Sequence, residues 1–184
     1  MKVAVFEKCV PGGWYLLADS AITNTGKPFY LPDDYGTVSV SIGMAVRIDR
    51  IGKSISPKFA SRYYHSVAPV LHFRMPELEE KFRSEGLPAD ASRNFDRSLF
   101  VGEFRPLSEI SDLFLTHNGV EVAKYDAKKQ ILCVDELISG ISRLNTMKMG
   151  DFIVPGLSAQ FTIKEGDILE VKDKDNTLFY VKVK

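Results

Sequence analysis

The side chains with the widest chemical range in this chain are its three histidines and two cysteines. Histidine can move protons near neutral pH or ligate a metal, and cysteines can bind metals or pair as disulfides. His65, His72 and His117 show no metal-ligand spacing, and the apolar run around His72 favours a hydrogen-bonded core residue. Cys9 and Cys133 lie far apart among apolar neighbours, so we expect reduced thiols in the core.

Recognisable catalytic and cofactor motifs are absent from the sequence. It contains no G-x-G-x-x-G, P-loop, H-E-x-x-H, C-x-x-C or nucleophile-elbow pattern. The 24 basic and 24 acidic side chains balance, which argues against nucleic acid or an anionic membrane surface as a partner. The apolar runs are too short for a signal peptide or a membrane span, so we expect a cytoplasmic location.

The longest predicted element is a strand from about residue 38 to residue 48. Its apolar and small or polar side chains alternate with a period of two, which places one set in a core and the other on the opposite face. The apolar set is Val38, Val40, Ile42, Met44, Val46 and Ile48, and the opposite set is Ser39, Ser41, Gly43, Ala45, Arg47 and Asp49.

A helix is predicted after this strand. Pro57 fits the first helical position, and Phe59, Tyr63 and Val67 follow at helical spacing. Pro69 is expected to end the helix before a second apolar strand that contains His72. Further helices are predicted over residues 76–85 and 134–144, with a hairpin at Asn118-Gly119 and four closing strands. The predicted class is α+β.

Several segments, taken in order, resemble those of the fumarylacetoacetate hydrolase family, in particular its compact bacterial hydrolase and isomerase members. The helix and closing strands carry the most specific part of this resemblance, because two Gly-Asp turns recur there in order. The segments are ADSAITNTGKPFYLPD (18–33), VRIDRIGKSIS (46–56), FRSEGLP (82–88), RNFDRS (93–98), HNGVEV (117–122), DELISGISRLNTMKMGDFIVPG (135–156) and IKEGDILEV (163–171).

The resemblance implies a fold and an assembly. The fold is α+β, with mixed β-sheets that form a partly open barrel and about three helices. The chain is expected to be a single domain over residues 1–184, with a shortened N-terminal lid region at about 1–35. A homodimer is the assembly that the family implies, and the zero formal net charge leaves little repulsion to oppose it.

The family's metal site maps onto residues of a different chemical type in this chain. Members hold Mg²⁺ or Mn²⁺ on three carboxylates. The bound metal stabilises an enolate of an acylpyruvate or related oxo acid. The corresponding positions fall on Ser41, Gly43 and His72. Replacing three carboxylates together is the change expected when the neutralising dication is lost. The resemblance therefore implies no metal cofactor here.

The substrate-contacting positions of the family map onto four sites. The catalytic lysine falls on Arg93, which keeps a cation but cannot shed its proton at ordinary pH. The substrate turn falls on Pro155, Gly156 and Leu157, and a further family lysine falls near Leu17. A lid that usually supplies a His–Glu pair is represented by residues 7–14.

Two hypotheses follow from these substitutions. The favoured one is a metal-free, catalytically degenerate member that binds a small oxo-acid-like ligand or a protein. The alternative is an active hydrolase or isomerase of an oxo acid with a rearranged, metal-independent site. In that alternative His72 is the base and Arg93 anchors a carboxylate, with Glu103, Asp96 or His65 as helpers.

Overall fold

Two long strands, β4 (Val38–Ile48) and β5 (Tyr64–Arg74), pair antiparallel at the centre of the protein. The structure is a computed structural model that describes residues 1–174 and 176–184. Strand β4 contributes the alternating side chains that the sequence analysis singled out. Strand β5 places its own alternating side chains directly across from them, so these two strands create the face on which the candidate site lies.

The described residues form two sheets, and the β4–β5 pair belongs to the larger one. The remaining strands are β1 Val3–Phe6, β2 Trp14–Leu17, β3 Ile22–Asn24, β6 Leu99–Val101, β7 Arg105–Pro106, β8 Leu113–His117, β9 Val120–Tyr125, β10 Phe152–Val154, β11 Phe161–Ile163, β12 Ile168–Asp173 and β13 Asn176–Lys182. In the larger sheet the strand order is β2-β1-β10-β4-β5-β6-β3, with β11 and β7 added on β4 and β5, and the sheet curls into a half-barrel. The smaller sheet has the order β13-β12-β8-β9.

In the described residues, four α-helical segments lie between the strands. They are α1 (Pro57–Ala60), α2 (Pro76–Ser84), α3 (Ala127–Gln130) and α4 (Val134–Leu144). Both α2 and α4 confirm the predicted helices, and β8 and β9 confirm the predicted hairpin. The α+β class is also confirmed. Within the described parts of the chain, no helix has both the length and the apolar character needed to cross a bilayer.

The prediction of a helix through Val67 is wrong beyond its first turns. Helix α1 ends at Ala60, a short 3₁₀ turn follows, and β5 begins at Tyr64 and continues through Pro69. The proline is tolerated because the neighbouring strands leave a gap beside it: β6 pairs with residues 70–72 of β5 and β7 with residues 66–67. Beside this gap the Pro69 carbonyl still accepts a hydrogen bond from the Gly102 amide, so the strand gives up only the bond that the missing proline N–H would donate.

Both faces of β4 are buried except at Arg47, whereas the alternation predicted one apolar and one polar face. The apolar set packs against α4 and the smaller sheet. The opposite set lies under a second apolar cluster that includes Val3, Val5, Leu17 and Val154. On this second face Ser41 is only 1% exposed. The second face is buried because β1 and β2 extend the same curled sheet and fold their side chains over it.

The structure corrects the expectation of two reduced cysteines. Cys9 and Cys133 form a disulfide, with their Cα atoms 5.9 Å apart. The apolar neighbours of each cysteine correctly indicate partial burial, but residues 124 apart in sequence give no signal of their contact. The fold brings them together by placing the β1–β2 loop against the turn before α4.

Candidate active site

The antiparallel register of β4 and β5 brings together the residues that stand at the family's metal-ligand positions. Ser41 lies opposite His72, and Gly43 lies opposite Val70. One pair further along, Ser39 lies opposite Arg74. Because side chains at alternate positions share a face, His72 and Arg74 point to the same side of the sheet as the two serines.

Gly43 cannot contribute a ligand and has no room for a larger side chain. A Cβ added at this position would lie 2.8 Å from Cδ2 of Leu157 and 3.1 Å from the carbonyl oxygen of Gly156. The predicted substrate turn, residues 155–157, is thus pressed against β4 at this point. Ser158 extends the contact, because its amide donates to the Ile42 carbonyl at 2.8 Å.

His72 is completely buried, and both of its ring nitrogens are engaged. Nδ1 accepts a hydrogen bond from Arg74 Nε at 3.2 Å, and Nε2 donates to the Arg93 carbonyl at 3.0 Å. Burial, followed by the Arg74 charge, lowers the pKa of His72 to about 3. The ring is therefore neutral at physiological pH and has no free lone pair for a metal or a substrate proton.

This donor set does not fit Mg²⁺ or Mn²⁺. Gly43 has no side-chain donor, the His72 ring faces a guanidinium, and a divalent cation of this type prefers hard oxygen ligands. Residues 1–174 and 176–184 contain no group of three or more His, Cys, Asp or Glu side chains arranged to hold a metal ion. The positive charge on this face belongs instead to Arg74.

Arg74 is the central cation of the site, with its side chain 5% exposed. Its Nη2 donates to the Tyr15 hydroxyl at 2.6 Å and to Glu7 Oε1 at 2.8 Å, while Nε donates to His72. Burial by itself would lower the pKa of Arg74, but Tyr15 and Glu7 outweigh it and raise that pKa. Arg74 is therefore a permanent, rigidly held positive charge.

Arg93 supplies a second guanidinium beside the first. Its Cζ atom lies 4.0 Å from the centroid of the Tyr15 ring, a cation–π contact, and Nη1 lies 3.5 Å from Glu7 Oε1. A weaker ion pair at 3.8 Å joins Nη2 to Asp90. Nε is buried and has no hydrogen-bond partner among the described residues. Arg93 thus has donor capacity that no described protein group uses.

An open cleft of about 460 Å³ gives solvent access to both guanidinium groups. Its floor is formed by Arg74 and Arg93, and Glu7 at its rim is 43% exposed. The remaining lining residues are Pro76, Glu79, Glu80, Arg83 and Gln160.

The residues predicted as helpers lie elsewhere. Asp96 and Glu103 are exposed and do not line the cleft. His65 lies near the opposite end of β5, where its Nδ1 is 3.0 Å from Asp49. Leu17, near the position of the second family lysine, is buried in the apolar cluster of the site face. Of the catalytic candidates, the structure brings together His72 and Arg93.

Arg74 and Tyr15 are not among the residues predicted from the sequence. Arg74 follows His72 by two residues, and in a strand that spacing places both side chains on one face. The strand that contains His72 is itself predicted, so this signal is present in the sequence. Tyr15 carries no local signal, because the contact to Arg74 spans 59 residues.

Comparisons with known proteins agree with this architecture. A sequence model of the family described as fumarylacetoacetate (FAA) hydrolase C-terminal matches residues 3–176. The mitochondrial oxaloacetate tautomerase of Caenorhabditis elegans is 25% identical over 164 residues, which cover 85% of this chain and 77% of the relative.

Solved structures show the same fold. A Yersinia pestis CO92 protein assigned to the fumarylacetoacetate hydrolase family superposes with a TM-score of 0.89 at 24% identity, covering 100% of this chain and 92% of that one. The fumarylpyruvate hydrolase of Pseudomonas aeruginosa, solved in complex with Mn²⁺ and pyruvate, gives 0.84 at 19% identity over 100% and 89%. Because the family match spans residues 3–176, the predicted family is confirmed: the chain belongs to the fumarylacetoacetate hydrolase family.

Proposed function

We propose that the protein is an active enzyme that interconverts the keto and enol forms of a small 2-oxo acid without a bound metal. The observation that carries this proposal is the pair of guanidinium groups, Arg74 and Arg93, at the floor of one cleft. Related proteins named as oxaloacetate tautomerases support the reaction class. This is the alternative hypothesis stated above for an active enzyme, with Arg74 and Glu7 added to its residues and with His72 moved from the role of base to a positioning role.

Arg74 and Arg93 favour an anionic ligand at their end of the cleft, since the other two glutamates of the lining are already paired with Arg83. Two permanent cations share a single carboxylate between them, because both ion pairs of Glu7 run through the same oxygen, Oε1. The Asp90 contact of Arg93 is long, at 3.8 Å, and Arg93 Nε has no partner in the described chain. A carboxylate that entered the cleft could accept charge-assisted hydrogen bonds from the Nη groups of the two arginines that line it, whereas Arg93 Nε is itself buried.

The two arginines are proposed to have different roles. Arg93, the more exposed and less satisfied cation, anchors the substrate carboxylate. Arg74 is held in place by His72 and Tyr15, so its charge is preorganised beside the position of the substrate's oxo group. Stabilisation of developing enolate charge by a preorganised cation is commonly the largest electrostatic contribution to catalysis.

Glu7 is the proposed proton carrier. It lies at the rim of the cleft, and its second oxygen, Oε2, is not the atom that pairs with the arginines. In the forward direction Glu7 takes a proton from the carbon next to the oxo group, and the C–H electrons form the enol double bond. The carbonyl electrons move to oxygen, and Glu7 then returns its proton to that enolate oxygen.

His72 is proposed as a positioning residue and not as the base. Its burial, its two occupied nitrogens and its low pKa leave no route for a substrate proton. It links the two arginines instead, since Nδ1 accepts from the Arg74 side chain and Nε2 donates to the Arg93 backbone.

The second candidate function is binding of the same oxo acid without turnover. It is favoured by the loss of all three carboxylates at the family's metal-ligand positions, where Ser41, Gly43 and His72 stand. Both candidates predict binding of an anion at the arginines, so turnover is the property that separates them. The homodimer stays a prediction, which gel filtration would test.

The experiment follows the keto–enol conversion of oxaloacetate by ultraviolet absorbance, with Mg²⁺, with Mn²⁺ and with a chelator. Oxamate, a planar oxo-acid analogue that cannot enolise, reports binding by calorimetry. The proposal expects turnover that persists with chelator and is lost in Glu7→Gln, with oxamate binding retained. Binding of oxamate without turnover would replace the proposal with the binding function. No binding in the wild-type protein would reject both.

A further inference from the structure

The loop that joins β1 to β2, residues 7–13, carries both the proposed proton carrier and a cysteine. We call it the lid loop. Glu7 begins it and Cys9 follows two residues later. Except for the partly buried Cys9, all of its residues are exposed. Such a loop has few contacts of its own to hold its position, so its attachments determine where Glu7 lies.

The Glu7 amide donates to the Gly13 carbonyl at 3.3 Å and closes the base of the lid loop, and three kinds of attachment join the loop to the rest of the protein. The first is the Cys9–Cys133 disulfide, which ties its tip to the turn before α4. The second is the packing of Pro11 near Gly140 of α4, where an added Cβ would lie 3.2 Å from the proline Cβ. The third consists of the ion pairs of Glu7 with the two arginines. Of these three attachments, the disulfide is the covalent bond.

The far end of the disulfide is adjacent to the predicted substrate turn. The Gln130 carbonyl oxygen lies 3.5 Å from Cys9 Sγ and 3.2 Å from Cys133 Sγ. The side chain of Gln130 packs on Gly156, since a Cβ added there would lie 3.1 Å from Gln130 Oε1. The disulfide therefore bridges the lid loop to a segment that is itself in contact with the site face.

We propose that the Cys9–Cys133 disulfide is a redox switch that holds Glu7 in the oxo-acid site when it is formed and releases the lid loop when it is reduced. This inference rests on the proposed function, because it assigns regulation to the same site. Both cysteines are partly exposed, which gives a dithiol reductant access to the bond.

The redox step is a thiol–disulfide exchange. A thiolate of an external dithiol attacks one sulfur of the Cys9–Cys133 bond and forms a mixed disulfide, and its second thiolate then displaces the protein sulfur. The protein gains two electrons and two protons as Cys9 and Cys133 become thiols, and the reagent is oxidised to its own disulfide. An oxidising disulfide reagent reverses the exchange.

Reduction should change binding and turnover in opposite directions. When the lid loop leaves the cleft, the Glu7 carboxylate no longer competes for Arg74 and Arg93, so an anion binds these cations more tightly. The same movement removes the proton carrier, so turnover falls. Loss of a purely structural disulfide would weaken binding and turnover together, because it would loosen the whole site.

The test compares the oxidised wild-type protein with the same protein reduced by a dithiol. Reduction is expected to tighten oxamate binding by about two- to fivefold, the usual effect of removing exposed ion pairs that compete with a ligand, and to lower oxaloacetate turnover by at least about tenfold. Cys9→Ser and Cys133→Ser are the matched variants: each should behave like the reduced protein and not respond to the reductant.

Two controls separate the switch from the proposed function. Glu7→Gln should bind oxamate tightly in both redox states, since it removes the competing charge without opening the loop. Equal oxamate affinity and equal turnover in oxidised and reduced wild-type protein would overturn the switch but leave the proposed function intact. Absence of oxamate binding in every variant would instead reject the proposed function. Failure of the wild-type cysteines to pair under oxidising conditions, seen as two free thiols by alkylation and mass spectrometry, would also overturn the switch.

Discussion

Arg74 Nε lies 3.2 Å from Nδ1 of His72, so a permanent cation is hydrogen-bonded to the residue at a position that the family resemblance assigns to a metal-binding carboxylate. A carboxylate at this position would neutralise a dication, whereas neutral imidazole accepts a hydrogen bond from guanidinium. The pairing keeps positive charge on this face of the sheet. It changes the source of that charge from a bound ion to the protein itself.

His72 should make the protein acid-sensitive over a defined pH range. Its pKa is about 3 in the folded protein, against 6.5 when unperturbed, so unfolding takes up a proton between these values. The contribution of the neutral His72 ring to the free energy of unfolding is therefore complete above pH 6.5. It is lost as the pH falls toward 3, by at most about 1.4 kcal/mol per pH unit.

Denaturant unfolding between pH 3.5 and 7.5 checks this expectation, a range chosen from those two pKa values. His72→Asn should show a shallower dependence of unfolding free energy on pH, by about one proton. His65→Gln is the control, because its imidazole is 63% exposed. An unchanged slope in His72→Asn would contradict the assignment of the buried, neutral ring.

Arg93 should determine the affinity for the oxo-acid carboxylate. Arg93→Ala removes the donor group whose Nε has no partner among the described residues, and oxamate affinity should fall by about tenfold or more. Arg93→Lys keeps a point charge but loses the planar fork, so an intermediate loss is expected. Calorimetry measures both variants.

Arg83 provides the matched control for this test. It lines the same cleft but is 66% exposed and already paired with Glu79 and Glu80. Arg83→Ala should therefore leave oxamate affinity nearly unchanged. Equal losses in the two alanine variants would mean that the cleft attracts anions by general charge and that Arg93 has no specific role.

Helices and strands were predictable where the local sequence pattern fitted one kind of element and not the other. On α4, the side chains of Leu137, Ile138 and Ile141 all face the protein core, as helical spacing requires. Near Phe59 the pattern was ambiguous, because Phe59, Tyr63 and Val67 fit a helical period although the chain becomes a strand at Tyr64. Pairing with β4 overrides the local preference there.

The candidate site was only partly predictable for a related reason. His72 and Arg93 were found through their alignment with family positions, whereas Tyr15 and Glu7 reach Arg74 across 59 and 67 residues. Such contacts depend on the curl of the sheet, which folds β1 and β2 over β4. A single sequence carries no pairwise signal for them.

Gly43 should be intolerant of any side chain because Leu157 occupies the space above it. Gly43→Ala would place its methyl group 2.8 Å from Leu157 Cδ2 and 3.1 Å from the Gly156 carbonyl oxygen. We expect a loss of about 1–3 kcal/mol in unfolding free energy, as for other overpacked sites.

A double-mutant cycle with Leu157→Ala tests this packing. The two substitutions should be strongly non-additive, because the smaller side chain removes the overlap that the new methyl group creates. Additive losses would show that the Gly156 carbonyl oxygen, and not Leu157, opposes the substitution. Thermal or denaturant unfolding of the four proteins gives the required free energies.

Tyr15 should stabilise the arginine pair through its hydroxyl. Burial raises the pKa of Tyr15, so the hydroxyl stays protonated and accepts a hydrogen bond from Arg74 Nη2 at 2.6 Å. Tyr15→Phe keeps the ring under Arg93 but leaves a buried guanidinium donor unpaired, which should cost about 1–3 kcal/mol of unfolding free energy. Turnover should fall while the Arg93-dependent oxamate affinity changes little.

Tyr180→Phe, at a position that is 53% exposed, is the control in unfolding and kinetic assays. A Tyr15→Phe protein with wild-type stability and turnover would show that Arg74 does not need this acceptor.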